Sequence, residues 1–160
     1  MYASFEQTAY TPEVFARSWL AAGALFVRGE SVFLVHKTYG DGWDIPGGLV
    51  DVSEAPAAAC RREVAEELGI QRSPRRLLVC DWCSHDGTDR VLFVFDCGEL
   101  GDENAVVLQD NELDRWEWVP ITAIEDYVSP RLAVRLREAY AVCSAGGTVY
   151  LERGEPVPGD

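Results

Sequence analysis

The segment "WDIPGGLVDVSEAPAAACRREVAEELG", Trp43 to Gly69, constrains the fold more than any other part of the chain. A loop rich in glycine and proline can bring backbone close to a ligand, and here it runs directly into a helical pattern. Ser53 reads as the N-cap, Pro56 is tolerated in the first turn and Gly69 is a terminator, so the spacing predicts a helix over Glu54 to Leu68. At 100° per residue, Ala57, Cys60, Val64 and Leu68 share the core-facing side. Glu63, Glu66 and Glu67 fall together on the adjacent side, so three carboxylates converge.

Repulsion among these glutamates would cost only about 1 kcal/mol on an exposed helix, so a solvated acidic face is an equal competitor to a functional cluster. Two neighbours shift the balance. Arg62, four residues before Glu66, can pair with a helix carboxylate and fix its direction, and the "PGG" turn delivers Gly47 and Gly48 just ahead of the helix. Carboxylate and carbonyl oxygens are the donors that Mg²⁺ and Mn²⁺ prefer.

Around this segment the pattern alternates strands and helices. "TPEVFARSW" reads as a short helix, and "LAAGALFV" with "SVFLVH" as a hairpin closed by "RGE". "RRLLVCDW", "RVLFVFDCG", the shorter "AVVL" and "RWEWVP" read as strands. "ITAIEDYV" and "PRLAVRLREAYAVC" read as helices, and "GGTVYLERGEPVPGD" as a short strand followed by a loose tail. This order predicts an α/β sandwich with a mixed sheet. A chain of 160 residues fits one domain, with residues 1–18 as an N-terminal extension and 152–160 as the tail.

The formal charge of −13 argues against polymeric nucleic acid and anionic membranes as partners, since both require clustered Lys and Arg. A phosphate-bearing ligand remains open if divalent cations intervene. No apolar run approaches the ~20 residues of a bilayer crossing, and "MYASFEQTAY" lacks the character of a signal peptide, so the cytoplasm is the expected compartment. Of five cysteines, Cys80 and Cys83 form one CxxC without a second pair, which favours free thiols over a metal site.

From Gly48 to Ile70 the sequence "GLVDVSEAPAAACRREVAEELGI" resembles the Nudix box, G-x5-E-x7-R-E-U-x-E-E-x-G-U with U aliphatic. Gly48, Glu54, Arg62, Glu63, Val64, Glu66, Glu67, Gly69 and Ile70 fill every defined position. Chance agreement at the seven fixed positions is on the order of one in a hundred million per start site, so the match is not accidental. "WDIPGG" at the entry and "WVP" at Trp118 to Pro120 also look like the family.

The resemblance implies a Nudix-like α/β/α sandwich and a Mg²⁺-dependent hydrolase, with Mn²⁺ as the substitute, that cleaves the diphosphate of a nucleoside diphosphate derivative. It implies Glu66 and Glu67 as metal ligands, Glu63 as a further carboxylate to the metal or its water, and Gly47 as a carbonyl ligand. Arg62 orients a box glutamate, and Glu54 braces loop and helix or reaches an outer metal. A glutamate beyond the box often serves as ligand or base; Glu112 is the candidate, with Glu103 and Glu117 competing. Trp43, Trp82, Trp116 and Trp118 offer faces to a nucleobase, although aromatic residues on strands are more often core. His85, alone in its loop, reads first as solvated.

Val52 and Ser53 stand where the family often has Pro and Gly, which bears on local loop geometry alone. "CDWCSHDGTDR" carries neither the proline nor the tyrosine that marks ADP-ribose and dinucleoside polyphosphate enzymes. Two other readings use the same fold: a nucleotide-binding sensor without turnover, against which the complete set of carboxylates argues, and isopentenyl diphosphate isomerase, which needs different active-site residues. Family members often form homodimers, and the sequence marks no interface.

Overall fold

In the computed structural model, residues 15–40 and 42–158 are described. Along the chain they form strands β1 (Ser18–Leu25), β2 (Val27–Arg28), β3 (Ser31–Lys37), β4 (Trp43–Asp44) and β5 (Gly47–Leu49), then helix α1 (Pro56–Leu68). Strands β6 (Arg76–His85), β7 (Thr88–Asp96) and β8 (Leu113–Pro120), helix α2 (Pro130–Ala145) and strands β9 (Val149–Glu152) and β10 (Glu155–Pro156) follow.

One sheet has the order β10-β9-β6-β7-β1-β5 and is mixed, because β1 runs parallel to β7 and β6 parallel to β9. The second is antiparallel and centres on β3, which pairs with β2, β4 and β8. Two apolar clusters fill the two sides. Ala59, Cys60, Val64 and Leu68 of α1 pack against Ala22, Ala24, Phe33 and Phe95. Ala133, Leu136 and Ala139 of α2 pack against Leu25, Leu78, Val94 and Leu151. Helices on both sides of the sheets make the expected α/β/α sandwich. No helix among the described residues is long and apolar enough to cross a membrane.

Several local expectations change. Ser18 and Trp19, read as the end of a helix, begin β1; Thr11 to Val14 of that stretch lie outside the described residues. The expected hairpin is split. Fully buried Phe26 carries the chain from one sheet to the other, so only β2 pairs with β3 and β1 instead lies between β7 and β5. Burial of two opposite sheet faces wins over simple strand adjacency.

α1 begins later than Ser53 suggested. Its N-cap is Ala55, and Ser53 takes a left-handed φ of 66° in the preceding turn. Ala57 is exposed, and Ala59 occupies its expected core position. Gly69 ends the helix as expected, with φ 67° and its N–H donating to the Ala65 carbonyl.

"AVVL" is not a strand: a 3-10 turn spans Glu103–Ala105, and the Val107 and Gln109 amides then donate to the Leu68 and Glu67 carbonyls at the end of α1. The segment satisfies helix carbonyls that would otherwise lack partners. Ile121–Asp126 is 3-10 rather than α-helical. In the stretch read as a loose tail, β10 closes a hairpin on β9, and the Gly154 amide donates to the buried Asp81 carboxylate.

Candidate active site

The box helix and the "PGG" turn meet because two glycines allow it. A Cβ on Gly47, at φ 153°, would stand 2.3 Å from the Ala22 carbonyl oxygen and 2.6 Å from the Gly23 Cα, both of them backbone atoms of β1. A Cβ on Gly48 would stand 2.5 Å from a carboxylate oxygen of Glu63. At Gly47 only glycine lets β5 lie this close to β1, whereas at Gly48 a side chain would displace the Glu63 carboxylate from its place.

The result is an open cleft of about 560 Å³ whose lining includes Gly47, Gly48, Glu63, Glu66, Glu67 and Glu112. Glu67 is the most deeply placed, 4% exposed, with the Gly47 amide donating to its Oε2 at 2.9 Å. Burial, more than any other cause, pushes its pKa up to about 8, and the Glu63 charge adds to the rise. Glu63 is also shifted upward, by burial first, with the Glu66 and Glu112 charges contributing. Glu66 is half exposed.

Arg62 ties the cluster together. Its Nε and Nη2 donate to the two oxygens of Glu54 at 2.9 Å each, Nη1 donates to Glu63 at 2.7 Å and Glu66 at 3.2 Å, and Nη2 also reaches the Leu49 carbonyl at 3.0 Å. These bonds, with the Asp51 amide, hold the Glu54 carboxyl down at about 2. The carboxylates of Glu54 and Glu63 likewise keep Arg62 charged well beyond its ordinary range. Glu54 thus braces the loop against the helix.

Of the three candidates beyond the box, only Glu112 lines the cleft. Glu103 instead accepts from the Trp118 indole at 2.7 Å and pairs with Arg28, and Glu117 accepts from the Tyr127 hydroxyl. The tryptophans lie elsewhere. Trp116 and Trp118 pack on Phe33, Trp43 is wedged among His36, Tyr127 and Arg115, and Trp82 lies under the Arg153 guanidinium in a separate cleft. His85 pairs with Asp86 in an exposed turn. No disulfide joins Cys80, Cys83 or the other three cysteines.

Four residues of the cleft carry no sequence signal that spacing could detect: Lys37, Tyr39, Arg90 and Arg135. Burial disfavours the Lys37 ammonium, but the Asp44 carboxylate at 2.7 Å outweighs it and raises the pKa. The place of Lys37 at the mouth of the glycine-rich loop is the one feature of the sequence that could have marked it.

Among the described residues, no group of three or more His, Cys, Asp or Glu is arranged to hold a metal ion. Arg62 engages Glu63 and Glu66, and the Gly47 amide engages Glu67. The chemistry of the donors nonetheless fits a hard divalent cation. A nearly inaccessible carboxylate with one hydrogen bond, pressed toward its neutral form by burial and by other carboxylates, is relieved by positive charge.

A family model described as the NUDIX domain matches residues 17–143. The chain is 31% identical to an RNA pyrophosphohydrolase of Gluconobacter oxydans over 63% of its own length and 70% of that protein. It is 35% identical to an 8-oxo-dGTP diphosphatase of Proteus vulgaris over 44% of the chain and 65% of that protein. Among solved structures, a UDP-X diphosphatase superposes with a TM-score of 0.69 at 22% identity, covering 86% of this chain and 68% of that one. The NUDIX domain of Shewanella oneidensis NrtR complexed with ADP ribose superposes at 0.67 with 17% identity, covering 89% and 99%. With its box glutamates gathered on one cleft and the family model spanning most of its length, the chain belongs to the Nudix family.

Proposed function

We propose that this Nudix hydrolase of the pyrophosphohydrolase type uses Mg²⁺ or Mn²⁺ to cleave the diphosphate linkage of a nucleoside diphosphate derivative, releasing a nucleoside monophosphate and a phosphorylated partner. The observation that carries the reading is the convergence of Glu63, Glu66 and Glu67 on the cleft wall, with Glu67 buried against the Gly47 amide. The relatives named as an RNA pyrophosphohydrolase and an 8-oxo-dGTP diphosphatase support the reaction class. Five free thiols support a reducing compartment such as the cytoplasm.

In this reading Glu66 and Glu67 hold the cation, Glu63 adds a carboxylate and the Gly47 backbone contributes its carbonyl. When bound, the cation neutralises the diphosphate and lowers the pKa of the attacking water. Arg62 holds Glu63 and Glu66 in direction while Glu54 anchors Arg62 to the loop, so the ligand set is pre-oriented. Glu112, which lines the cleft outside the Arg62 network, is our candidate to accept the proton of the attacking water, with a box glutamate as the alternative base. Lys37 adds a positive charge near Glu67, suited to a phosphate oxygen.

The test is a pooled assay with Mg²⁺ or Mn²⁺ and nucleoside triphosphates, nucleotide sugars, ADP-ribose and dinucleoside polyphosphates, with products identified by mass. Cleavage to a monophosphate that disappears in Glu67→Gln is expected. Unchanged turnover in that variant would falsify the assignment.

A further inference from the structure

The cleft has a second chemical character away from the box. Arg90 on β7 lines it, and so does Arg135 on α2. The register of the sheet puts both guanidiniums on one face. Asp81 of β6 lies opposite Leu92 of β7, and Cys83 opposite Arg90, so Asp81 and Arg90 point to the same side, one step of about 7 Å apart along the strands. Arg135 reaches down from α2 onto Asp81, its Nε at 2.8 Å and Nη2 at 2.7 Å from Oδ2.

The two arginines differ in what satisfies them. Arg135 is neutralised by Asp81, which is fully buried and also accepts from the Gly154 amide. Arg90 has no hydrogen-bond or ion-pair partner among the described residues, and its Nε is buried with its hydrogen-bonding capacity unmet. Its one neighbour of note is Trp19, its register partner on β1, whose ring lies 5.9 Å from the guanidinium carbon. Trp19 is itself 58% exposed.

A half-buried guanidinium with no anion among the described residues is costly, and it stands out in a chain of net charge −13 where acid is abundant. A planar fork of donors suits an oxyanion, phosphate or carboxylate, and the Trp19 ring 5.9 Å away adds a cation–π contact to it.

We propose that Arg90, backed by Trp19 and Arg135, forms an oxyanion subsite that takes a second negative group of the substrate, outside the diphosphate that is split. This rests on the hydrolase reading above and narrows it. Substrates bearing an additional phosphate or carboxylate are preferred over otherwise equal nucleotide sugars without one.

The test is binding to the whole protein in EDTA, where no cation can bridge an anion to the glutamates. Inorganic phosphate and malonate are titrated separately, by calorimetry, into wild type, Glu67→Gln, Arg90→Met and Arg90→Lys. Saturable binding of one of them is expected, and the one that binds names the oxyanion. It should weaken about tenfold or more in Arg90→Met, recover in part in Arg90→Lys and persist in Glu67→Gln. Arg90 carries the test because removal of Arg135 would strand the buried Asp81 charge. Absence of binding by wild type, or equal binding by Arg90→Met, overturns the subsite and leaves metal-dependent hydrolysis standing. Arg90-dependent binding in a protein that cleaves no member of the substrate panel overturns the hydrolase reading instead.

Discussion

The Gly47 amide donates to Oε2 of Glu67 across 2.9 Å, joining the edge strand β5 to the most buried carboxylate of α1. That single bond leaves the carboxylate incompletely compensated, which is why its pKa rises to about 8. A group whose folded pKa is raised contributes stability that is fully present below its unfolded value, near 4.5, and is lost as pH climbs through the folded value. In EDTA, wild type should therefore lose stability between about pH 5 and pH 9, by roughly 3–5 kcal/mol. Glu67→Gln should be the more stable protein at pH 9 and decline less over that range, with the upward-shifted Glu63 left to titrate, while hydrolysis is abolished. Melting curves of both proteins across this range check the point; parallel curves would refute it.

The same proton competes with metal. If Glu67 holds the cation as proposed, binding displaces this proton below about pH 8, so Mg²⁺ affinity should rise about tenfold per pH unit from pH 6 and flatten above pH 8. Calorimetry in buffers of different ionisation enthalpy should count close to one proton released at pH 6. Affinity independent of pH would mean that Glu67 is not a ligand.

Arg62 makes five hydrogen bonds that link Glu54, Glu63, Glu66 and the Leu49 carbonyl. Arg62→Met should lower Tm by several degrees and reduce kcat sharply, since three carboxylates lose their shared partner. Its acid limb is the specific signature. Glu54, depressed to about 2, contributes stability present above its unfolded pKa and lost as pH falls through the folded value. Between about pH 5 and pH 2 wild type should lose that contribution, and Arg62→Met should show a shallower decline. Acid melts of the two proteins decide it.

How far the chain could be read beforehand follows from where the constraints lie. Within α1 the determinants are local: Gly69 terminates the helix because it sits at φ 67°, and Arg62 reaches Glu66 one turn on, so spacing alone reveals both. Ala55 as N-cap was hidden because the preceding turn, with Ser53 left-handed and Glu54 held by Arg62, sets the helix start instead of a capping side chain. The "AVVL" segment has strand composition, yet its amides serve the carbonyls of a helix nearly forty residues earlier, a non-local demand with no periodicity. Aromatic content alone could not place a nucleobase. The tryptophans at positions 43 and 116 are consumed by packing, and the exposed one, Trp19, was obscured by the helical reading of its segment. Arg90 and Arg135 meet the cleft only through strand register and helix docking, which a linear sequence does not display.

Close approach at the turn makes a further prediction. Gly47→Ala would force its Cβ into the Ala22 and Gly23 backbone, which cannot swing aside as a side chain could. A loss of about 2–4 kcal/mol is expected, with the amide drawn away from Glu67 and activity lost. Gly40→Ala is the control: φ is 75° but nothing among the described residues beyond its chain neighbours lies within 4 Å of the added Cβ, so the left-handed backbone cost of about 1–2 kcal/mol remains. Urea titrations of the two variants should separate, with activity retained in the second.

The thiols of Cys60 on α1 and Cys97 after β7 stand 3.9 Å apart, both buried beneath the box helix. The hydrogen bond to Cys97, followed by burial, drives the Cys60 pKa upward, so its reactive thiolate is scarce at neutral pH. Burial also raises Cys80 and Cys143, although both are only half-buried. Iodoacetamide at pH 8 should therefore label the native protein slowly, first at Cys80 and Cys143, and reach Cys60 and Cys97 only when the helix detaches. Peptide mass mapping over time gives the order. Early labelling of Cys60 would mean that α1 opens away from the sheet on the timescale of the reaction, and the carboxylates it carries would then lack the rigid support that cleavage of a diphosphate demands.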